Sequence, residues 1–389
     1  MNTMAHSSPP RRYLDHAATS WPKPEPVWQA WEQAARVNGT AAGRGGYREA
    51  VAASQTLART RAKIADLLGF PVDRIALPTS ATLGLNQAIQ GLTRPGCHVI
   101  ATAADHNATL RPLAHLARRG QIDLTIVPCD GRGWVDPEEI TAAWRPTTRL
   151  VTFSQASNVT GVLQDAAAIA AIARERGGLS LLDAAQTLGQ IPVGDGISAA
   201  DVIVAPAHKW LQGMHGVAIL AARDGVECEP LILGGTGSAS ESLDLPTGFA
   251  EQFEAGTPDL PAVAAVEAAA GWLAAEGPAT VAGYCRALAQ ACREQVAAID
   301  GVRVIGGAAA DAAGPPLFSI TAAAYEPAEL ASLLEQLAGV QVRSGFHCAA
   351  RIHDHLGTAT GGTVRIAFGP FNTSADVDAV VSTTAAVMR

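Results

Sequence analysis

Lysine is scarce in this chain. Of the 28 basic residues, only Lys23, Lys63 and Lys209 are lysines. Chemistry that needs an amine nucleophile therefore has three candidates. Lys209 follows the apolar run VIVAPAH, which places it at the end of a strand. Lys23 lies in the proline-rich turn WPKPEP and Lys63 in the helical pattern TRAKIADLL, where a solvated cation is the default expectation.

Basic runs and long apolar runs are also missing. The net charge is -8, and no basic run is longer than two residues, as in Arg11–Arg12, which argues against a nucleic-acid surface. A small molecule or another protein is the expected partner. The longest apolar stretches, such as AAAIAAIA, are too short to span a bilayer, and the opening MNTMAHSSPPRR has no apolar signal segment. We expect a soluble, cytoplasmic protein without membrane contact.

The six cysteines form no CxxC pair. They lie far apart in the chain, as Cys97, Cys129, Cys228, Cys285, Cys292 and Cys348. Without an oxidising compartment to favour disulfides, we expect reduced thiols, mostly buried as small apolar side chains.

Apolar runs alternate with amphipathic stretches between residues 70 and 222. The runs are RIALPTS, HVIATAA, DLTIVPCD, RLVTFSQ, LSLLDAA, DVIVAPA and GVAILAA. Continuous apolar strands separated by helices predict an α/β fold with a mainly parallel sheet that is covered on both faces. In such sheets the ligand lies beyond the carboxyl ends of the strands, where polar residues such as Asp105, His106, Asn158, Asp183 and Lys209 follow the apolar runs.

The texture changes after Gly234 to a loop rich in glycine and serine, GGTGSASESLDLPTG. From residue 301, short strands alternate with a helix, which is typical of a smaller α+β domain. We predict a large domain of residues 24–275 and a small domain of residues 276–389 together with residues 1–23.

Two strand-end residues suggest a cofactor. Asp183 comes directly after four apolar residues, and an unpaired carboxylate there costs several kcal/mol to bury. A helix cap is the alternative role for Asp183. Taken with Lys209, it suits pyridoxal phosphate, whose aldehyde takes a lysine and whose ring nitrogen is kept protonated by an aspartate. The stretch ALPTSATLG could offer helix amides to the phosphate, or be an ordinary N-cap.

Ordered motifs along nearly the whole chain resemble a known family. These are YLDHAATSWPKP, DHNA, ASNVTG, LLDAAQTLG, HKWLQG, GGTGS, FEAGTPD, RSGFHCA and VRIAFGPFNT. They occur in the order found in class V aminotransferase-like cysteine desulfurases, in the group with a short catalytic loop that includes sulfur-mobilisation desulfurases and selenocysteine lyases. The resemblance implies a pyridoxal-phosphate enzyme of fold type I, with a seven-stranded sheet.

The same resemblance assigns cofactor contacts. It implies that Lys209 forms the Schiff base with the cofactor and that Asp183 pairs with the ring nitrogen. It also implies that His106 stacks on the ring and relays protons as a catalytic residue, and that Asn158 and Gln186 contact the ring hydroxyl. It places the phosphate near Ala81, Thr82 and His208, and near Thr257 from a second subunit of a homodimer. Two departures weaken phosphate contacts: Pro206 and Ala81 stand where relatives often carry a hydroxyl.

The resemblance also assigns the substrate site. Arg365, helped by Arg343 and Asn158, would bind the carboxylate of L-cysteine or selenocysteine, since a guanidinium suits that planar group. Cys348 would take the sulfur of the substrate as a persulfide, and alanine would be released. The persulfide sulfur would then pass to a sulfur-acceptor protein, for uses such as iron–sulfur cluster assembly. Nearby glycines, Gly345 and Gly357 among them, would let the segment swing between pocket and surface.

Other functions stay open at this level. Cys348 with His347, His353 and His355 could be a metal cluster, but the spacing fits no closed zinc pattern. The glycine-rich stretches GTAAGRGGY and GGTGSAS fit dinucleotide loops poorly. A selenocysteine lyase, another carbon–sulfur lyase or an epimerase would keep the cofactor. A non-catalytic scaffold would keep only the fold.

Overall fold

A seven-stranded sheet forms the centre of the computed structural model, which describes residues 9–37, 39–43, 45–192, 194, 196–238, 241–306 and 314–389. The strands are β1 (Arg12–Tyr13), β2 (Ile75–Ala76), β3 (Cys97–Thr102), β4 (Ile122–Val127), β5 (Thr148–Ser154), β6 (Leu179–Asp183), β7 (Val202–Pro206), β8 (Ala218–Ala222), β9 (Val302–Ile305), β10 (Leu317–Ala322), β11 (Val340–Gln341), β12 (Arg343–Gly345) and β13 (Thr363–Ala367). The order in the large sheet is β2-β8-β7-β6-β5-β3-β4. The predicted α/β class and seven strands are confirmed.

Helices connect and cover the strands. They are α1 (Glu25–Val37), α2 (Arg48–Leu68), α3 (Ala81–Leu92), α4 (Asn107–Arg118), α5 (Pro137–Ala143), α6 (Ala166–Glu175), α7 (Phe249–Phe253), α8 (Leu260–Glu276), α9 (Pro278–Ala297), α10 (Pro327–Ala338), α11 (Ile352–Leu356) and α12 (Ser374–Val387). Asp136, Asp165 and Asp259 begin α5, α6 and α8 by accepting first-turn amide hydrogens. None of the helices in the described ranges is long and apolar enough to cross a bilayer.

Both faces of the large sheet are apolar. Successive residues of its strands are mostly apolar, and neighbouring residues of a strand point to opposite sides. In β3, Val99 packs into one buried cluster and Ile100 into another. In β6, Leu181 and Leu182 divide in the same way. The polar side chains are therefore left at the strand ends, where the site forms.

The four central pairings of the large sheet, from β4 through β3, β5 and β6 to β7, are parallel. Only β8 and β2 run antiparallel to their neighbours. The carboxyl ends of β3, β5, β6 and β7 consequently lie at one edge. This edge carries His106, Asn158, Asp183 and Lys209.

A second, antiparallel sheet of order β12-β13-β10-β9 follows in the chain. Strand β1 pairs in parallel with β11, so residues 12–13 lie beside residues 340–341. The assignment of residues 1–23 to the smaller domain stays a prediction. The boundary between residues 275 and 276 stays a prediction, and Gly277 separates α8 from α9 close to it.

Candidate active site

A cavity of about 250 Å³ lies at the carboxyl edge of the large sheet. Ten of the predicted site residues line it: Ala81, Thr82, His106, Asn158, Asp183, Gln186, His208, Lys209, Arg343 and Arg365. Pro206 lines it as well. Thr257 instead lines a separate cavity of about 620 Å³, and Cys348 lines a groove that adjoins the central cavity. One chain therefore brings together all but two of the predicted residues.

The half-buried Lys209 presents the amine in the cavity. Burial lowers its pKa to about 8, and the cations Arg365 and Arg343 act in the same direction, while Asp183 opposes them. A larger fraction of this amine is therefore neutral near pH 7 than of an ordinary lysine. A neutral amine is the nucleophilic form.

The backbone just before Lys209 is held by an N-terminal segment. The carbonyl oxygen of His208 accepts hydrogen bonds from the hydroxyls of Thr19 and Ser20 and, at 2.8 Å, from Nζ of Lys23. Lys23 is only 6% exposed, so the expectation of a solvated cation is wrong for it. No local sequence pattern around Lys23 predicts that it binds a carbonyl so distant in the chain.

Asp183 and Gln186 form the far wall of the cavity. Asp183 is the last residue of β6, and its Oδ1 accepts a hydrogen bond from the amide of Ala185 at 2.9 Å. Burial raises the pKa of Asp183 above its usual value, and the nearby Lys209 cation only partly opposes this shift. Gln186 donates to the carbonyl of Ala17 and accepts from the indole of Trp210. These contacts fix the Gln186 amide in one orientation.

His106 caps α4 rather than pointing to solvent. Its Nδ1 accepts the amide hydrogen of Ala108 at 3.0 Å, so the ring proton is on Nε2. Burial, with Lys209 next, lowers the pKa of His106 to about 4. The ring is therefore a neutral imidazole at neutral pH.

Asp105, directly before His106, is completely buried. Its Oδ2 accepts from the amide of Thr102 at 2.8 Å and its Oδ1 from the amide of Ser154 at 2.6 Å. These bonds tie the end of β3 to the end of β5. Burial raises the pKa of Asp105 to about 7. Asp105 thus positions two walls of the cavity.

Arg365 is 1% exposed and has an ionic partner that the sequence did not indicate. Its Nη2 donates to Oδ1 of Asp15 at 2.6 Å, and its Nη1 donates to the carbonyl of Asn158 at 3.0 Å. Arg343 is its register partner across β12 and β13. Two guanidinium groups are therefore presented at the same part of the cavity, one of them fixed by a carboxylate.

Cys348 is exposed in a tightly anchored turn. Its carbonyl accepts from the amide of Asn107 at 2.7 Å, and the carbonyl of His347 accepts from Nδ2 of Asn158 at 2.6 Å. His347 and Cys348 have φ values of 51° and 58°, a conformation that costs roughly 1–3 kcal/mol per residue. Nη2 of Arg343 donates to the Cys348 sulfur at 3.3 Å, so the thiol lies beside a guanidinium group.

Two histidines near Cys348 make hydrogen bonds to threonine hydroxyls. Nε2 of His347 contacts the hydroxyl of Thr363 at 2.9 Å. Nδ1 of His353 contacts the hydroxyl of Thr358 at 2.7 Å. These contacts position the turn around the thiol.

The first turn of α3 lines the cavity. Ser80 caps the helix by accepting the amide hydrogen of Leu83 at 3.1 Å. The amides of Ala81 and Thr82 belong to the first turn, which has no intrahelical acceptor, and the helix dipole favours an anion there. His208 lies on the same cavity, with its Nδ1 near the Thr19 hydroxyl.

The donor set fits pyridoxal phosphate. A buried amine with a lowered pKa, a buried carboxylate and a helix N-terminus lie on one cavity. These groups complement an aldehyde, a ring nitrogen and a phosphate respectively.

Comparisons with known proteins support this interpretation. The family model "Aminotransferase class-V" matches residues 12–380. The probable cysteine desulfurase of Methanothermobacter thermautotrophicus is 33% identical over 371 residues, which cover 94% of this chain and 92% of that protein. The cysteine desulfurase CsdA of Escherichia coli is 29% identical, with 95% of this chain and 92% of that protein covered.

Solved structures have the same fold. The apo cysteine desulfurase of Thermococcus onnurineus superposes with a TM-score of 0.89 at 24% identity, over 97% of this chain and 94% of that chain. The structure of Escherichia coli CsdA gives a TM-score of 0.84 at 26% identity, over 95% and 93% of the two chains.

Proposed function

Because the chain belongs to the class-V aminotransferase family, which depends on pyridoxal phosphate, we propose that it is a cysteine desulfurase with Cys348 as its sulfur-accepting nucleophile. The observation that carries this proposal is the placement of the Cys348 sulfur. It lies 3.3 Å from Nη2 of Arg343, a residue that also lines the cavity with Lys209. A scaffold protein would have no need for this combination of buried amine, buried carboxylate and strained thiol turn.

Three groups of this chain would hold the cofactor. Lys209 would supply the covalent attachment, Asp183 the ionic partner of the ring nitrogen, and the start of α3 the phosphate site. When bound, pyridoxal phosphate withdraws electrons from the substrate amino acid and so weakens the bond to its sulfur. Neutral His106 offers a flat face to the ring, and Gln186 offers its remaining amide hydrogen.

Cys348 completes the reaction. Its thiolate attacks the sulfur of the bound L-cysteine; a sulfur–sulfur bond forms and the carbon–sulfur bond breaks. The electron pair remains on the former carbon partner, which takes a proton and leaves as L-alanine. The products are L-alanine and a Cys348 persulfide. Arg343 stabilises the attacking thiolate, and only that ionised form is a competent nucleophile.

The reaction is tested by its stoichiometry. Protein loaded with pyridoxal phosphate and given L-cysteine with excess dithiothreitol is expected to produce L-alanine and sulfide in equal amounts. Production of pyruvate and ammonia in place of alanine would show a carbon–sulfur lyase of another type and would overturn the proposal.

Replacing Asp15 with asparagine is expected to raise KM for L-cysteine about tenfold, with a smaller change in kcat. The neutral amide loses the charged hydrogen bond that orients Arg365, and a loss of about 1.4 kcal/mol corresponds to that factor. Steady-state kinetics checks this result. An unchanged KM would show that Arg365 does not bind the substrate carboxylate.

The lowered pKa of Lys209 gives cofactor capture a specific pH dependence. In cofactor-free protein, the rate of covalent capture is expected to rise with pH, with a midpoint near pH 8, and to level off above about pH 9, where the amine is mostly neutral. Asp183→Asn removes a charge that raises the pKa of Lys209, so the midpoint is expected to move to lower pH. Stopped-flow absorbance across a pH series measures both curves; a rise that continues to pH 10 would contradict the assignment.

A homodimer completes the site in this proposal. Thr257 lies on a cavity separate from Lys209, so its proposed phosphate contact would come from a second subunit. The segment between β8 and α7 exposes Leu231, Ile232, Leu233 and Leu243, and such apolar groups are typical of an interface. We further propose that the protein is cytoplasmic, since its described cysteines are free thiols. In this proposal it supplies sulfur to an acceptor protein in processes such as iron–sulfur cluster assembly.

A further inference from the structure

A groove of about 370 Å³ leads away from the Cys348 thiol between α3 and α4. It shares Thr82, His106 and Ala108 with the central cavity, whereas Cys348 lines the groove but not the cavity. Its volume falls within the range of small-molecule sites, about 300–1,000 Å³. The mechanism described above uses none of the side chains along its outer part.

Three hydrogen bonds hold the turn that carries the thiol. The backbone amide of Asn107 donates to the carbonyl of Cys348, and the side-chain amide of Asn158 donates to the carbonyl of His347. Both asparagines lie at the carboxyl edge of the large sheet. His353 contacts the carbonyl of Phe346 at 3.2 Å on the other side of the turn. The Cys348 side chain is already exposed on the groove while these three bonds are in place. An acceptor that approaches the thiol through the groove breaks none of them.

The outer part of the groove carries a free cation. Arg111 is exposed, and its side chain makes no hydrogen bond or ion pair with any residue that the structure describes. His115 lies one turn further along α4, and Asn86 and Gln90 face it from α3. None of the lining residues is acidic. The charge of Arg111 also reaches the active site, since Arg111 is one of the cations that lower the pKa of His106.

We propose that this groove binds a small anionic thiol, with its carboxylate on Arg111 and its sulfur facing Cys348, as a direct acceptor of the persulfide sulfur. The inference rests on the proposed function for its source of sulfur. The acceptor thiolate attacks the outer sulfur of the Cys348 persulfide and forms a new sulfur–sulfur bond. The bond to Cys348 breaks, so Cys348 leaves as a thiolate and the acceptor becomes a persulfide.

The first test uses three thiols of similar size but different charge. Holoenzyme is given one equivalent of L-cysteine, and discharge of the Cys348 persulfide is then timed with mercaptopropionate, mercaptoethanol or cysteamine. Arg111→Gln is expected to slow discharge to mercaptopropionate about tenfold and to leave the neutral thiol unaffected. Arg118→Gln, on the same helix but outside the groove, is the matched control. Equal effects on all three thiols, or none, would overturn the proposal.

The second test does not depend on turnover. Cys348 is allowed to form mixed disulfides with dithiodipropionate, which is anionic, or with hydroxyethyl disulfide, which is neutral, and Cys348→Ala supplies the background. Arg111→Gln is expected to slow only the anionic reagent, about tenfold. If this selectivity holds while no alanine forms from L-cysteine, the groove stands and the desulfurase proposal fails. If alanine forms but the selectivity is absent, the groove proposal fails alone.

Discussion

Lys209→Ala is expected to abolish the visible absorption of covalently bound pyridoxal phosphate and to lower kcat by roughly a thousandfold or more. Among the residues that the structure describes, no second lysine lines the cavity: Lys23 is bonded to Ser20 and the His208 carbonyl, and Lys63 lies on α2 near Glu267. The loss therefore has no local replacement.

Lys63→Ala is the matched control for this change. It removes a half-exposed lysine whose ion pair spans 3.9 Å, which contributes little to stability. Absorbance, borohydride trapping and L-alanine formation are measured for both variants, with circular dichroism to confirm folding. A Lys209→Ala protein that still traps the cofactor covalently would refute the assigned role.

Cys348→Ala is expected to lower L-alanine formation on the order of a hundredfold or more, while cofactor and L-cysteine still bind. The anchored turn places this sulfur beside Arg343, and no other described cysteine lines the cavity or its groove. L-cysteine should therefore still change the absorption spectrum of the variant, without turnover.

Cys228→Ala serves as the control because Cys228 is the other cysteine that is not fully buried. Burial raises the pKa of Cys228 to about 12, so it supplies no thiolate at neutral pH. This variant should keep wild-type alanine formation. Alanine formation that survives in Cys348→Ala at the wild-type rate would favour chemistry without a thiol nucleophile, such as a lyase or epimerase.

Local patterns predicted the residues that follow apolar strands. Asp183 and Lys209 could be found because a charged residue directly after a buried run is unusual, and parallel strands bring such ends to one edge. The seven strands of the large sheet could be predicted because each was a short apolar run bounded by more polar stretches. The resemblance then supplied roles that the patterns alone left open.

Long-range contacts could not be predicted in this way. Asp15 and Arg365 are 350 residues apart in the chain, and their bond exists only because residues 12–15 return to the second sheet. The buried state of Lys23 depends likewise on the distant His208 carbonyl. The swinging segment predicted from the glycines around Cys348 stays a prediction, and the sequence could not reveal the amide bonds that Asn107 and Asn158 make to this turn.

Mass spectrometry of the Cys348 peptide tests the central claim most directly. Holoenzyme is mixed with L-cysteine without a reductant, free thiols are alkylated, and the protein is digested. The account predicts one additional sulfur atom on the peptide that contains Cys348, in an amount equal to the L-alanine released in the first turnover. L-alanine released with no added sulfur on Cys348, or with the sulfur on another cysteine, would contradict it.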